Sequence, residues 1–167
     1  MKEHPETLDG SLNPLDCIED AFNNQDWVFD RPNPHEISLV LSSPNAAYRI
    51  TFIWQQDFNA MQFFCEFDLT VPEDRRAAVA NALLLINARL WLGHFILHEN
   101  TGVPCFRHTS IFTDWGHATG TGHIEDLVET ALAECDRHHG VFTMLSAHTP
   151  ADPALLSLAL SPPAGQA

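Results

Sequence analysis

Basic side chains are scarce in this chain. Only 8 of its 167 residues are Lys or Arg, against 22 Asp and Glu, and the formal net charge is -14. Neutralising phosphates takes clustered Lys and Arg, so the deficit excludes nucleic acid and an anionic membrane surface as partners. Cysteine is sparse too: Cys17, Cys65, Cys105 and Cys135 stand far apart, with no CxxC pair. The opening MKEHPETLDG has no apolar signal core. Together these features predict a reducing, cytoplasmic setting with free thiols. The longest apolar stretch is shorter than the roughly 20 residues that cross a bilayer. Catalytic punctuation is missing as well. There is no HExxH, no zinc-finger spacing, no GxSxG and no P-loop, and GHATGTG at residues 116–122 lacks the GxGxxG order. No metal and no cofactor is expected, and the chain reads as a non-enzyme.

At about 150 residues per domain, 167 residues make one domain, able to bury roughly 70% of the surface of its unfolded chain. Residues 1–12 and 161–167 are polar or Pro/Gly-rich and read as flexible tails, which places the domain at residues 13–160. Asn13-Pro14 is a helix start, with Leu15, Ile18 and Phe22 on one face and Asp16, Glu19 and Asp20 on the other. From Trp27 the period changes to two. Ile37, Leu39 and Leu41 alternate, then Tyr48, Ile50, Phe52 and Trp54, then Met61, Phe63, Cys65, Phe67, Leu69 and Val71, with Glu66 and Asp68 facing the other way. Short connections make these strands antiparallel hairpins.

A second helix is predicted from Pro72 to about Leu92, stopped by Gly93. Of residues 77–92, 13 of 16 are apolar. A helix apolar nearly all round must be covered nearly all round. Two strands follow, residues 94–99 and 104–112. A third helix runs from Thr121-Gly122 and is expected to close at His138-His139-Gly140, and residues 141–160 read as a strand or helical turn and then a short helix. The order predicts an α+β domain: an antiparallel sheet of five or six strands with helices packed on one side.

Ten histidines invite a metal reading. His94 and His98 share a strand face, with His108 on the neighbouring strand, but the spacing matches no known ligand set and solvated or structural roles suffice. Cys105, close to His108, is the best candidate for a Cys/His-dependent enzyme, the least favoured of the functional readings; an inward-facing strand residue is the favoured reading of it.

INARLWLGHF at residues 86–95, with Gly102-Val103-Pro104 and Phe106-Arg107-His108, resembles the bacterial YbjN family. NPLDCIEDAF at residues 13–22, Trp27, Phe29 and CEFDLTVPEDRR at residues 65–76 carry the same likeness, which spans residues 13–148. The resemblance implies a fold like that of the small acidic type III secretion chaperones, commonly dimeric, with no established enzymatic activity. It also implies a sensory-transduction regulator, a label without a mechanism. On this footing the chain is expected to be a homodimer that binds a client or regulatory protein. The interface falls on the second helix, at Val79, Ala82, Leu85, Ile86 and Ala88, unless residues 141–160 fold back over that strip. The alternative is a sensory module holding a small molecule in a polar pocket of Asn87, Arg89, His94, Arg107 and His108, residues that pairing and capping would also account for.

Overall fold

The computed structural model describes residues 13–112, 121–147 and 152–161. Its elements are α1 (Pro14–Asn24), β1 (Phe29–Asn33), β2 (Glu36–Ser42), β3 (Ala47–Gln55), β4 (Ala60–Phe67), α2 (Arg76–Asn87), β5 (His94–Leu97), β6 (Pro104–Ile111), α3 (Thr121–Ser146) and α4 (Pro153–Ala159). Short 3₁₀ turns occupy Gln56–Phe58 and Glu73–Arg75. Six strands form one open antiparallel sheet in the order β1-β2-β3-β4-β6-β5.

The period-two pattern sets which face is buried. Register places Tyr48 opposite Phe67, Ile50 opposite Cys65 and Phe52 opposite Phe63, all buried beneath α1 and α3. Arg49 opposite Glu66 and Thr51 opposite Phe64 form the other face, which no helix of the described residues covers. Aromatic rings tie the inner layer together. Phe22 of α1 meets Phe52 at 6.0 Å, Phe52 meets Phe63 at 4.9 Å, and Phe63 meets Phe106 at 6.3 Å. Phe95 then joins Phe106 at 5.5 Å to Phe142 of α3 at 5.6 Å. Such pairs contribute about 0.5–1.5 kcal/mol each beyond the area they bury.

Polar contacts fix the helices in place. The Asn13 side chain accepts from the Leu15 amide at 3.0 Å, and Pro14 takes the first helical position, as the sequence predicts. Arg31 of β1 donates to Asp16 at 2.8 Å and also to Glu19, which raises its own pKa and clamps the edge strand to α1. On the other side, Ser43 and Tyr48 both donate to Asp136 Oδ1 of α3, at 2.6 and 2.8 Å. Burial, reinforced by the Asp136 carboxylate, pushes the Tyr48 phenol well above its usual range.

Several boundaries differ from the sequence reading. β1 joins the sheet as an edge strand; its polar FDRPN sequence hides it, and Pro32 is tolerated there because an edge need not donate every amide. β4 ends at Phe67, leaving Leu69 and Val71 outside it. The second helix is shorter at both ends: residues 73–75 are 3₁₀, and after Asn87 the chain tightens, with Arg89 N–H reaching Ile86 C=O and Leu90 N–H reaching Asn87 C=O. Gly93 turns the chain into β5 at φ +63°, where a Cβ would lie 2.4 Å from the Phe106 ring. The third helix does not stop at Gly140. Cys135, Phe142 and Leu145 continue its buried stripe, and that packing outweighs the roughly 1 kcal/mol that a glycine costs a helix interior. Residues 141–146 thus belong to α3, and α4 supplies the expected short helix. The predicted tails and the loop at residues 116–122 lie almost wholly outside the described residues.

Candidate functional site

The corner where α2 runs along β5 concentrates the features that the sequence singled out. α2 buries Val79, Ala82 and Ile86, at spacings of three and four, against β5 and α3. The opposite stripe carries Ala77, Ala80, Leu84 and Ala88, with Leu85 beside it and Trp91 just beyond the helix end. Leu84 is 73% exposed, Leu85 48% and Trp91 78%. Three of the five residues expected at an interface, Val79, Ala82 and Ile86, are therefore interior residues of one chain; Leu85 and Ala88 are on the surface. Leu84 and Trp91 were missed because apolarity all round the helix gives no phase for choosing a face. The short loop to β5 could have supplied it, since it leaves the helix free to bury only the side nearest the strand. Among the described residues, the C-terminal segment does not cover the stripe. α4 packs on α3, and Leu84, Leu85 and Trp91 remain in solvent.

Asn87 sets the geometry of this corner. Its Nδ2 donates to the Phe95 carbonyl at 3.0 Å, and its Oδ1 accepts from the Phe95 amide at 2.7 Å. A side-chain amide thus behaves as one more residue of sheet, satisfying the outward-facing backbone of edge strand β5. A partner arriving here meets the apolar side chains of α2, while the strand backbone at Phe95 is already occupied.

The other residues of the expected polar pocket do not converge. Arg89 donates to the Leu160 carbonyl at the end of α4. His94 and Arg107 are cross-strand neighbours on the helix-free face, where the Arg107 guanidinium lies over the Phe64 ring at 5.6 Å. His108 pairs with Phe63 and so points to the opposite, helix-covered face. Burial lowers its pKa, helped by the charges of His123 and His94. His94 and His98 do share a face, and His98 Nε2 sits 3.0 Å from Glu66 Oε1. Among the described residues no group of three or more His, Cys, Asp or Glu is placed to hold a metal ion.

Cys105 is fully buried, but on the face of Glu66 and Ile96, not beneath the helices. Burial, with the Glu66 charge second, pushes its thiol far up, which opposes the thiolate that a nucleophile needs. Cys65 and Cys135 touch across the core at 3.6 Å as free thiols, and burial raises Cys135 as well. No helix of the described residues is long and apolar enough to cross a membrane.

Residues 14–143 match the model of the YbjN family, described as "Putative bacterial sensory transduction regulator". The structure is similar to a crystal structure of YbjN from E. coli, there described as "a putative transcription regulator". The TM-score is 0.52 at 14% identity, covering 75% of this chain and 93% of that one. At that identity the likeness concerns the fold. No curated protein matches the chain.

Proposed function

The chain belongs to the YbjN family, and from that premise we propose that it is a non-enzymatic, chaperone-like or regulatory protein-binding module that works as a cytoplasmic homodimer joined through α2. The observation that carries this reading is the exposed stripe of Leu84, Leu85 and Trp91. Single exposed apolar residues are ordinary, but three large ones adjoining surface alanines mark a contact surface. Fully burying one exposed leucine is worth about 1.5–3 kcal/mol, so this stripe supplies a driving force for self-association. A two-fold axis lets one copy of the stripe cover another, and the buried Val79, Ala82 and Ile86 hold the helix rigid for that contact. The acidic surface elsewhere favours client segments carrying basic and apolar residues.

Hydrogen exchange at two concentrations tests the location. Amides of residues 76–91 should exchange more slowly at high protein concentration than at low, with the rest of the sheet unchanged. Equal protection of α2 at both concentrations, with a monomeric mass throughout, would overturn the reading.

A further inference from the structure

The helix-free face holds a cavity of about 360 Å³ that has no part in the α2 surface. Val40, Arg49, Glu66, Asp68, Thr101 and Val103 line it. Register explains the assembly: Val40 stands opposite Arg49, and Arg49 opposite Glu66, so one band across β2, β3 and β4 supplies the floor. The wall comes from the turn before β6 and the segment after β4. These are pinned to each other, because the Val71 amide donates to the Gly102 carbonyl at 2.8 Å. Gly102 has φ +70°, and a Cβ there would lie 2.5 Å from the Val71 carbonyl oxygen, so only glycine permits so close an approach. Arg76 ties the same turn to the start of α2 by donating to the Glu99 carbonyl at 2.6 Å. The cavity is therefore pre-formed by backbone.

Its charges are mixed and incompletely matched. Arg49 forms no ion pair with any described residue. Asp68 is exposed and likewise forms no ion pair with any described residue, and Glu66 Oε1 lies 3.0 Å from His98 Nε2. One guanidinium and two carboxylates around a small volume complement a ligand with one carboxylate and two cationic groups. About 360 Å³ lies at the small end of ligand cavities, which suits a single amino acid better than a polypeptide segment.

We propose that this cavity binds a free basic α-amino acid, its carboxylate on Arg49 and its ammonium groups toward Glu66 and Asp68, with Val40 and Val103 against the aliphatic stem. Isothermal titration of the full chain with L-arginine and L-lysine tests this. Norleucine, which matches lysine without the side-chain ammonium, and a Lys-Arg dipeptide blocked at both ends serve as comparisons. Saturable binding of a basic amino acid is expected, at least about tenfold tighter than norleucine, with at least about tenfold loss in both Arg49→Gln and Asp68→Asn. Both substitutions are on the surface, so circular dichroism and mass should stay those of the wild type. No saturable binding of either basic amino acid, equal binding of norleucine, binding unchanged in both variants, or capture of the blocked dipeptide alone would each overturn the proposal. The inference does not rest on the α2 interface, and Leu84→Asp/Leu85→Asp should bind the amino acid as the wild type does.

Discussion

Asn87 shows most clearly how a single side chain can matter here without taking part in chemistry. Its amide satisfies both polar groups of Phe95 at a sheet edge. Asn87→Ala removes both hydrogen bonds and should lower stability by about 2 kcal/mol, read as a lower urea midpoint at unchanged m. His138 supplies a pH signature. It is held against the Phe95 ring and the Glu134 carbonyl, with the Glu134 carboxylate, Arg137 and Arg89 as charged neighbours, and burial outweighs Glu134 to lower its pKa. A group with a depressed folded pKa binds protons less readily when folded, so it stabilises the fold above the unfolded value of 6.5. That stability is lost as pH falls below 6.5 towards the folded value. His108, also lowered, acts in the same direction. Unfolding free energy should therefore decline from about pH 7 to pH 5, and His138→Gln should flatten the decline; a profile as steep as the wild type's would contradict this account. Little at this scale was legible in the sequence. The Asn13-Pro14 cap was, because its partners are local; the Asn87–Phe95 pairing was not, because it depends on β5 being an edge. Arg49, Glu66 and Asp68 read only as outward residues, since what makes them a cavity is strand order and a turn some thirty residues further on.

At the scale of elements, local signals and packing sometimes disagree, and packing prevails. His138-His139-Gly140 carries the marks of a helix end, yet α3 runs on to Ser146 because Phe142 and Leu145 extend the buried stripe. Gly140 is helical, with nothing within 4 Å of an added Cβ. Gly140→Ala should raise stability by about 0.5–1 kcal/mol. Gly93→Ala, forced to positive φ and against Phe106, should lower it sharply, and paired thermal melts separate the two. The helix α2 taught the opposite lesson. Its composition announced that it needs cover, but not which stripe its own chain supplies. That is why Val79, Ala82 and Ile86 were grouped with surface residues before the fold separated them.

Across the whole molecule, the α+β class and the buried face of the sheet followed from periodicity, because one-sided burial imposes alternation on every central strand, and the antiparallel pairing followed from the short connections. The polar edge strand β1 escaped, having no such alternation to show. The charge of -14 is also unevenly placed. Residues 1–36 and 113–167 carry -7 and -6, residues 37–72 carry -2, and residues 73–112, which hold α2, carry +1. Two copies meeting through α2 would thus join near-neutral surfaces while the acidic flanks remain in water, where they oppose wider aggregation. Light scattering on the purified 18.6 kDa chain and on Leu84→Asp/Leu85→Asp puts this most directly to the test. The account predicts twice the chain mass for the wild type and a folded species of single-chain mass for the variant, with an unfolding midpoint close to that of a dissociated wild type. A wild type that scatters as a single chain at micromolar and higher concentrations, or a variant that keeps the doubled mass, would contradict it.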